Sequence, residues 1–149
     1  MKYNYYLIIF LLVVFSLQSL EAKPKKEIII SKSAPEPIGP YSQAVKFGDL
    51  LFISGQIAIN PNTNQMVNEN IETETKQVME NIKSILLSAG YTMSNIIKTT
   101  IYLTDLNIFK KVNEIYGSYF EKEFPARETV QVVKLPKGAN IEVSVIAGK

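Results

Sequence analysis

The sequence predicts an α+β domain with a mostly antiparallel sheet and two helices on one face. Three observations predict it: alternating apolar and polar runs towards both ends of the chain, two apolar stripes at helical spacing between them, and turn residues separating each run from the next. A chain of 149 residues is long enough for one such core and too short for two ordinary ones.

Residues 1–22 stand apart from the domain, which is assigned to residues 23–149. Lys2 is followed by unbroken apolar sequence from Leu7 to Phe15 and then by Ser19-Leu20-Glu21-Ala22, the pattern of a secretory signal peptide. The run is shorter than the roughly 20 apolar residues of a spanning helix, so a removed leader is expected and no membrane association after it. The leader implies entry to the secretory pathway. With no cysteine and no Asn-x-Ser/Thr acceptor, routing to an internal, plastid-like organelle is as natural a destination as secretion.

Glu27 to Ile30 is rich in β-branched residues and reads as a short strand. The three prolines of Ala34-Pro35-Glu36-Pro37-Ile38-Gly39-Pro40-Tyr41 then forbid a helix and make a rigid loop delivering Tyr41 and Ser42. Ala44 to Phe47, a Gly48-Asp49 turn and Leu50 to Ser54 form a hairpin, which Ile57 and Ile59 are expected to extend. From Asn70 the period changes. Ile71, Val78, Ile82, Ile85, Leu86 and Ala89 share one helical stripe, Glu72 and Glu74 sit at its positive end, and Gly90 closes it. Ile96 to Leu103 is a strand. Asp105 or Asn107 caps a second helix with the stripe Phe109, Val112, Ile115, Tyr116, Tyr119 and Phe120, ended by Pro125. Thr129 to Val133 and Ile141 to Ile146 read as paired strands, with Glu142 and Ser144 on the face opposite Ile141, Val143 and Val145. The sheet face without helices needs a cover, and self-association supplies one.

The absences constrain the chemistry. With no His and no Cys, thiol nucleophiles, Ser-His-Asp triads, thiolate zinc sites and His-ligated metals are excluded, so any catalysis runs on Arg, Glu, Asp, Lys, Tyr, hydroxyls, backbone and water. No metal or cofactor is expected. Net charge is only +2, and the densest basic group, Lys23, Lys25 and Lys26, lies in a linker, which gives a nucleic-acid partner no support. Arg127 is the only arginine, and its planar fork can grip a carboxylate bidentately where an ammonium cannot. By default an arginine after Phe-Pro-Ala is a solvated surface group, and a glutamate alternating with valines is the wet side of a strand.

Seven separated motifs shift that balance. They are Ile38-Gly39-Pro40-Tyr41-Ser42-Gln43-Ala44; Ser54-Gly55-Gln56; Asn81-Ile82 with Ala89-Gly90; Lys98-Thr99-Thr100-Ile101-Tyr102-Leu103; Asp105-Leu106 with Phe109 and Val112-Asn113; Phe124-Pro125-Ala126-Arg127; and Leu135-Pro136-Lys137-Gly138 before Ile141-Glu142-Val143. In this order and spacing the chain resembles the reactive intermediate deaminase (Rid, or YjgF) family over residues 26–149. The resemblance implies a chorismate-mutase-like fold, a homotrimer around a central barrel, and clefts between subunits. It also implies hydrolysis of enamine and imine acids such as 2-aminoacrylate and 2-iminobutanoate to 2-keto acids and ammonia, without a cofactor. Carried over residue by residue, Arg127 holds the substrate carboxylate and Glu142 orients water as a possible base. Tyr41 lines the cleft, and Ser54 and the Gly55 backbone border the carboxylate. Thr129 stands where many bacterial members have cysteine; water attack needs no thiol, and the position is expected to serve through its backbone. Two alternatives differ in class: a single-stranded RNA endoribonuclease acting as a translation inhibitor, and a non-catalytic protein that only binds small carboxylates.

Overall fold

A computed structural model describes residues 23–149, so the expected leader lies outside the described residues. Six strands, β1 (Lys26–Ile29), β2 (Ala44–Phe47), β3 (Leu50–Gln56), β4 (Ile96–Leu103), β5 (Ala126–Gln131) and β6 (Ile141–Gly148), form one sheet in the order β1-β2-β3-β6-β4-β5. All neighbours are antiparallel except β4 and β5, which run parallel, so the sheet is mixed and mostly antiparallel. Helices α1 (Ile71–Ser88) and α2 (Phe109–Gly117) pack on the same face. Among the described residues no helix is long and apolar enough to cross a membrane.

Local chemistry accounts for most boundaries. Gly48 takes φ 62, which favours glycine, and turns Phe47 back opposite Leu50. Asn70 caps α1 by accepting from the Thr73 N–H at 2.9 Å. At its other end Gly90, at φ 77, lets the Tyr91 N–H return to the Leu86 carbonyl. The stripe Val78, Ile82, Ile85 and Leu86 is fully buried against Leu51, Ile53, Ile101, Leu103, Val143 and Val145 of the sheet.

Three expectations are corrected. β5 and β6 are not paired to each other: β4 lies between them, with Thr99 opposite Arg127 on one side and Val145 on the other. The β3 strand ends at Gln56 rather than running through Ile59, because Asn81 Nδ2 captures the carbonyls of Ile57 (3.1 Å) and Ile59 (3.0 Å) that a ladder would have used. Ile59 makes only an isolated bridge to Met66. The second helix ends at Gly117, well before Pro125. Asp105, not Asn107, caps its approach, accepting from the Asn107 N–H at 2.9 Å above a 3₁₀ turn, Leu106–Ile108.

The face away from the helices carries an apolar row, Ile28, Val45, Phe52 and Ile146, each opposite the next across β1, β2, β3 and β6. Ile28 is 46% and Phe52 42% exposed, in a fold that buries comparable side chains fully on its other face. Phe47 and Leu50 extend the row into a patch. Monomeric surfaces rarely leave an apolar area of this kind uncovered.

Candidate active site

Arg127 is the second residue of β5, an edge strand, and lies opposite Thr99 of β4. Thr99 is buried and accepts from the Tyr116 hydroxyl at 3.1 Å, which fixes that ring beside the strand. The Arg127 guanidinium stands 4.9 Å from the Tyr116 ring centroid and 6.0 Å from that of Phe109. Burial pushes the Tyr116 hydroxyl up from its ordinary pKa, outweighing the opposing pull of Thr99 and Arg127, so it stays protonated and keeps donating. Stacked on α2 in this way, the guanidinium is held without an acidic partner: Arg127 makes no ion pair among the described residues. It shares a cavity of about 400 Å³ with Asn113, Tyr116, Gly117, Phe124 and Pro125.

Two polar atoms beside it are unpaired. Asn113 Oδ1 and Thr129 Oγ1 are buried and lack a hydrogen-bond partner among the described residues. Such atoms are uncommon in folded proteins and mark places where a ligand, water or second chain completes the set. Asn113 was not singled out as a site residue from the sequence. On a helix whose neighbouring Val112 and Tyr116 are core, its amide is the one polar group among inward positions, and that is the signal that could have found it.

The other predicted residues gather elsewhere. Glu142 lies on β6 opposite Tyr102 of β4, on the face away from the helices. A β-carbon added at Gly55 would overlap Glu142 Oε1 and sit 2.7 Å from its Cδ, so the carboxylate lies directly over that glycine backbone. Gly55 falls at the irregularity between Ile53 and Gln56 in the β3–β6 pairing, which turns this short stretch out of register. Ser54 is tied down: its Oγ donates to the Ser42 carbonyl (2.8 Å) and its N–H to the Gln43 carbonyl (3.0 Å). Gln43 is buried and holds the proline-rich loop through its amide, accepting from the Ser31 N–H (2.7 Å) and donating to the Pro35 carbonyl (2.7 Å). That loop presents Tyr41, whose hydroxyl accepts from the Ile38 N–H at 3.2 Å. Tyr41 and Gly55 line one small cavity of about 20 Å³, the space of a single water.

Burial raises the Glu142 pKa above its ordinary value. If Glu142 works as a carboxylate, activity is expected to fall as pH drops through that raised value, placing the acid limb of a kcat/KM profile above the usual glutamate range, and Glu142→Gln is expected to abolish the limb. The same shift has a stability sign. Its contribution to folding is fully present below the unfolded-state pKa and is lost as pH rises through the folded one.

Within one chain the two groups do not converge. Arg127 and Thr129 share the helix-bearing side of β5 with the buried Thr99 and Ile101, whereas Glu142 and Gly55 lie on the opposite side of the sheet. Three residues along the strand and two strands across put the Arg127 and Glu142 backbones roughly 14 Å apart.

Residues 31–149 match a family model described as Endoribonuclease L-PSP. A RutC family protein of Pyrococcus horikoshii is 52% identical over 124 residues, covering 83% of this chain and 98% of that one. The chain belongs to the Rid family. The Rid fold is shared with a Rid family protein of Yersinia pestis, whose crystal structure superposes with a TM-score of 0.82 at 52% identity, covering 84% of this chain and all of that one. Among relatives with a named activity, the human 2-iminobutanoate/2-iminopropanoate deaminase is 45% identical over 122 residues, covering 82% of this Rid chain and 89% of the human one. TdcF of E. coli, solved with bound serine, superposes with a TM-score of 0.80 at 38% identity, covering 83% and 98% of the two chains.

Proposed function

We propose that this Rid chain hydrolyses reactive 2-imino acids to 2-keto acids and ammonia, at sites formed where copies of the chain meet. The observation that carries the reading is the arginine: a guanidinium stacked on Tyr116, free of acidic partners among the described residues, beside unpaired Asn113 and Thr129 oxygens. That is a socket for a small carboxylate. The deaminase named among its human relatives acts on such acids by its name.

In this reading Arg127 holds the carboxylate of a protonated imine, with Ser54, the Gly55 backbone and Thr129 bordering it. Glu142 accepts a proton from water as the water oxygen bonds to the imine carbon, giving a carbinolamine. Glu142 then passes that proton to nitrogen; as the carbon–nitrogen bond breaks, the carbinolamine hydroxyl returns its proton to the Glu142 carboxylate and becomes the keto oxygen, and ammonia leaves the 2-keto acid, with Tyr41 hydrogen-bonding water or the departing nitrogen. The imine is itself the electrophile, so no histidine is needed. The opposite facing of Arg127 and Glu142 supports a site completed by a neighbouring copy, and the exposed row from Ile28 to Ile146 supplies a surface for assembly into the homotrimer.

The test couples a serine/threonine dehydratase to the purified protein and follows loss of the imine alongside ammonia release, with sedimentation of the same sample. Rapid loss by a trimer supports the reading. Binding of 2-ketobutyrate without ammonia release would instead support a carboxylate-binding protein, and cleavage of single-stranded RNA would support the ribonuclease reading that the family name carries. Charge gives the last little help: Lys98 is paired with Glu128, and Lys111 with Glu72 and Glu114.

A further inference from the structure

Glu74 is the only charged side chain in the fully buried set of described residues, and the catalytic scheme does not use it. It lies in the first turn of α1, and its two oxygens accept from the Asn140 N–H (2.6 Å) and from Asn140 Nδ2 (2.9 Å). Asn140 also accepts, through its carbonyl, the Thr104 N–H at the end of β4 (3.1 Å). The residue two places before Glu142 is thus pinned from the helix and from the neighbouring strand. Burying a carboxylate without a cation is costly, and an apolar side chain would pack more cheaply. An amide could accept only one of the two donors as they stand; a carboxylate accepts both.

We propose that Glu74 is a positioning residue for Glu142: through Asn140 it sets the height of β6, so that the Glu142 carboxylate rests over Gly55. The inference rests on the deaminase reading. The clearance makes position matter, since the Gly55 backbone leaves no room even for a methyl group beneath that carboxylate, and misplacing a reacting group by about 1 Å can cost on the order of 100-fold in rate.

The test is made on the assembled protein with freshly generated 2-iminobutanoate, well below the melting temperature. Glu74→Ala is expected to lower kcat about 10- to 100-fold with KM within about threefold of wild type. Glu74→Gln is expected to recover to within about threefold of wild type, because its oxygen still accepts the Asn140 N–H and the Asn140 amide can turn to accept from its nitrogen. The double variant Glu74→Ala/Glu142→Gln is expected to be no slower than Glu142→Gln alone, as follows when one residue acts through the other. Tyr91→Phe, which removes a buried hydroxyl's bond to the Asp49 carbonyl (3.1 Å) elsewhere in the same core, serves as the stability control and keeps wild-type kcat. If Glu74→Ala does not fold, Asn140→Ala takes its place in each comparison. A folded Glu74→Ala with wild-type kcat, multiplicative losses in the double variant, or an equal kcat loss in Tyr91→Phe would overturn the positioning role. Wild-type turnover by Glu142→Gln would overturn the deaminase reading instead.

Discussion

Arg127→Ala is expected to lower kcat/KM for freshly generated 2-iminobutanoate by two to three orders of magnitude while leaving the assembly folded. In the proposed mechanism the guanidinium grips the substrate carboxylate bidentately, and truncating one partner of such a charge-assisted pair costs about 2–5 kcal/mol, part of it from stranding the other charge. The fold does not depend on it: Arg127 sits exposed on an edge strand, stacked on Tyr116 but bonded to no acidic side chain among the described residues. Arg127→Lys keeps the charge and loses the fork, so it is expected to recover only about tenfold of the loss. Steady-state assays of the three proteins, with thermal melts alongside, decide the matter; a folded Arg127→Ala with wild-type turnover would remove the proposed carboxylate anchor.

Gly55→Ala is the second expected large effect, and it separates activity from stability. The added methyl overlaps Glu142 Oε1 and lies 2.7 Å from Cδ and 3.0 Å from Cγ. What it meets is the far end of a side chain, not backbone, so Glu142 can swing aside at small cost to folding. Its orientation over the site is then lost. The expected result is a melting temperature within a few degrees of wild type and a kcat lower by on the order of 100-fold. A large loss of stability with normal kcat per folded molecule would mean that Glu142 has no fixed position to lose.

Much of this architecture is written locally. The Phe47–Leu50 hairpin follows from Gly48, α1 from the Asn70 cap and the Gly90 stop, and the faces of β6 from strict alternation. What escaped the sequence was long-range. Nothing in the pattern of Thr129 to Val133 says that its neighbour is Ile96 to Leu103 running parallel, because periodicity names a buried face without naming a partner. Ile57 and Ile59 look like strand, and only the amide of Asn81, reaching across from α1, ends the ladder before them. Glu74 reads as a solvated helix-end charge until Asn140 arrives from the far end of the chain. As for the site, Arg127, Glu142, Tyr41, Ser54 and Gly55 lie within the motifs, and Thr129 was named as a departure two residues past one of them. Glu142 declared its face by alternation, but the opposite facing of Arg127 was legible only once β5 was seen to pair with β4, and Asn113 only once its oxygen proved buried and unpaired.

The sheet turns Arg127 and Glu142 away from each other, so the proposed deaminase makes the reacting unit the seam between two chains rather than the chain itself. Mixing two separately inactive preparations, one lacking the anchor and the other the base, and letting subunits exchange should then revive about a quarter of the seams, since each live seam draws its anchor from one parent and its base from the other. A chain that carried both halves of its own site could not be rescued in this way.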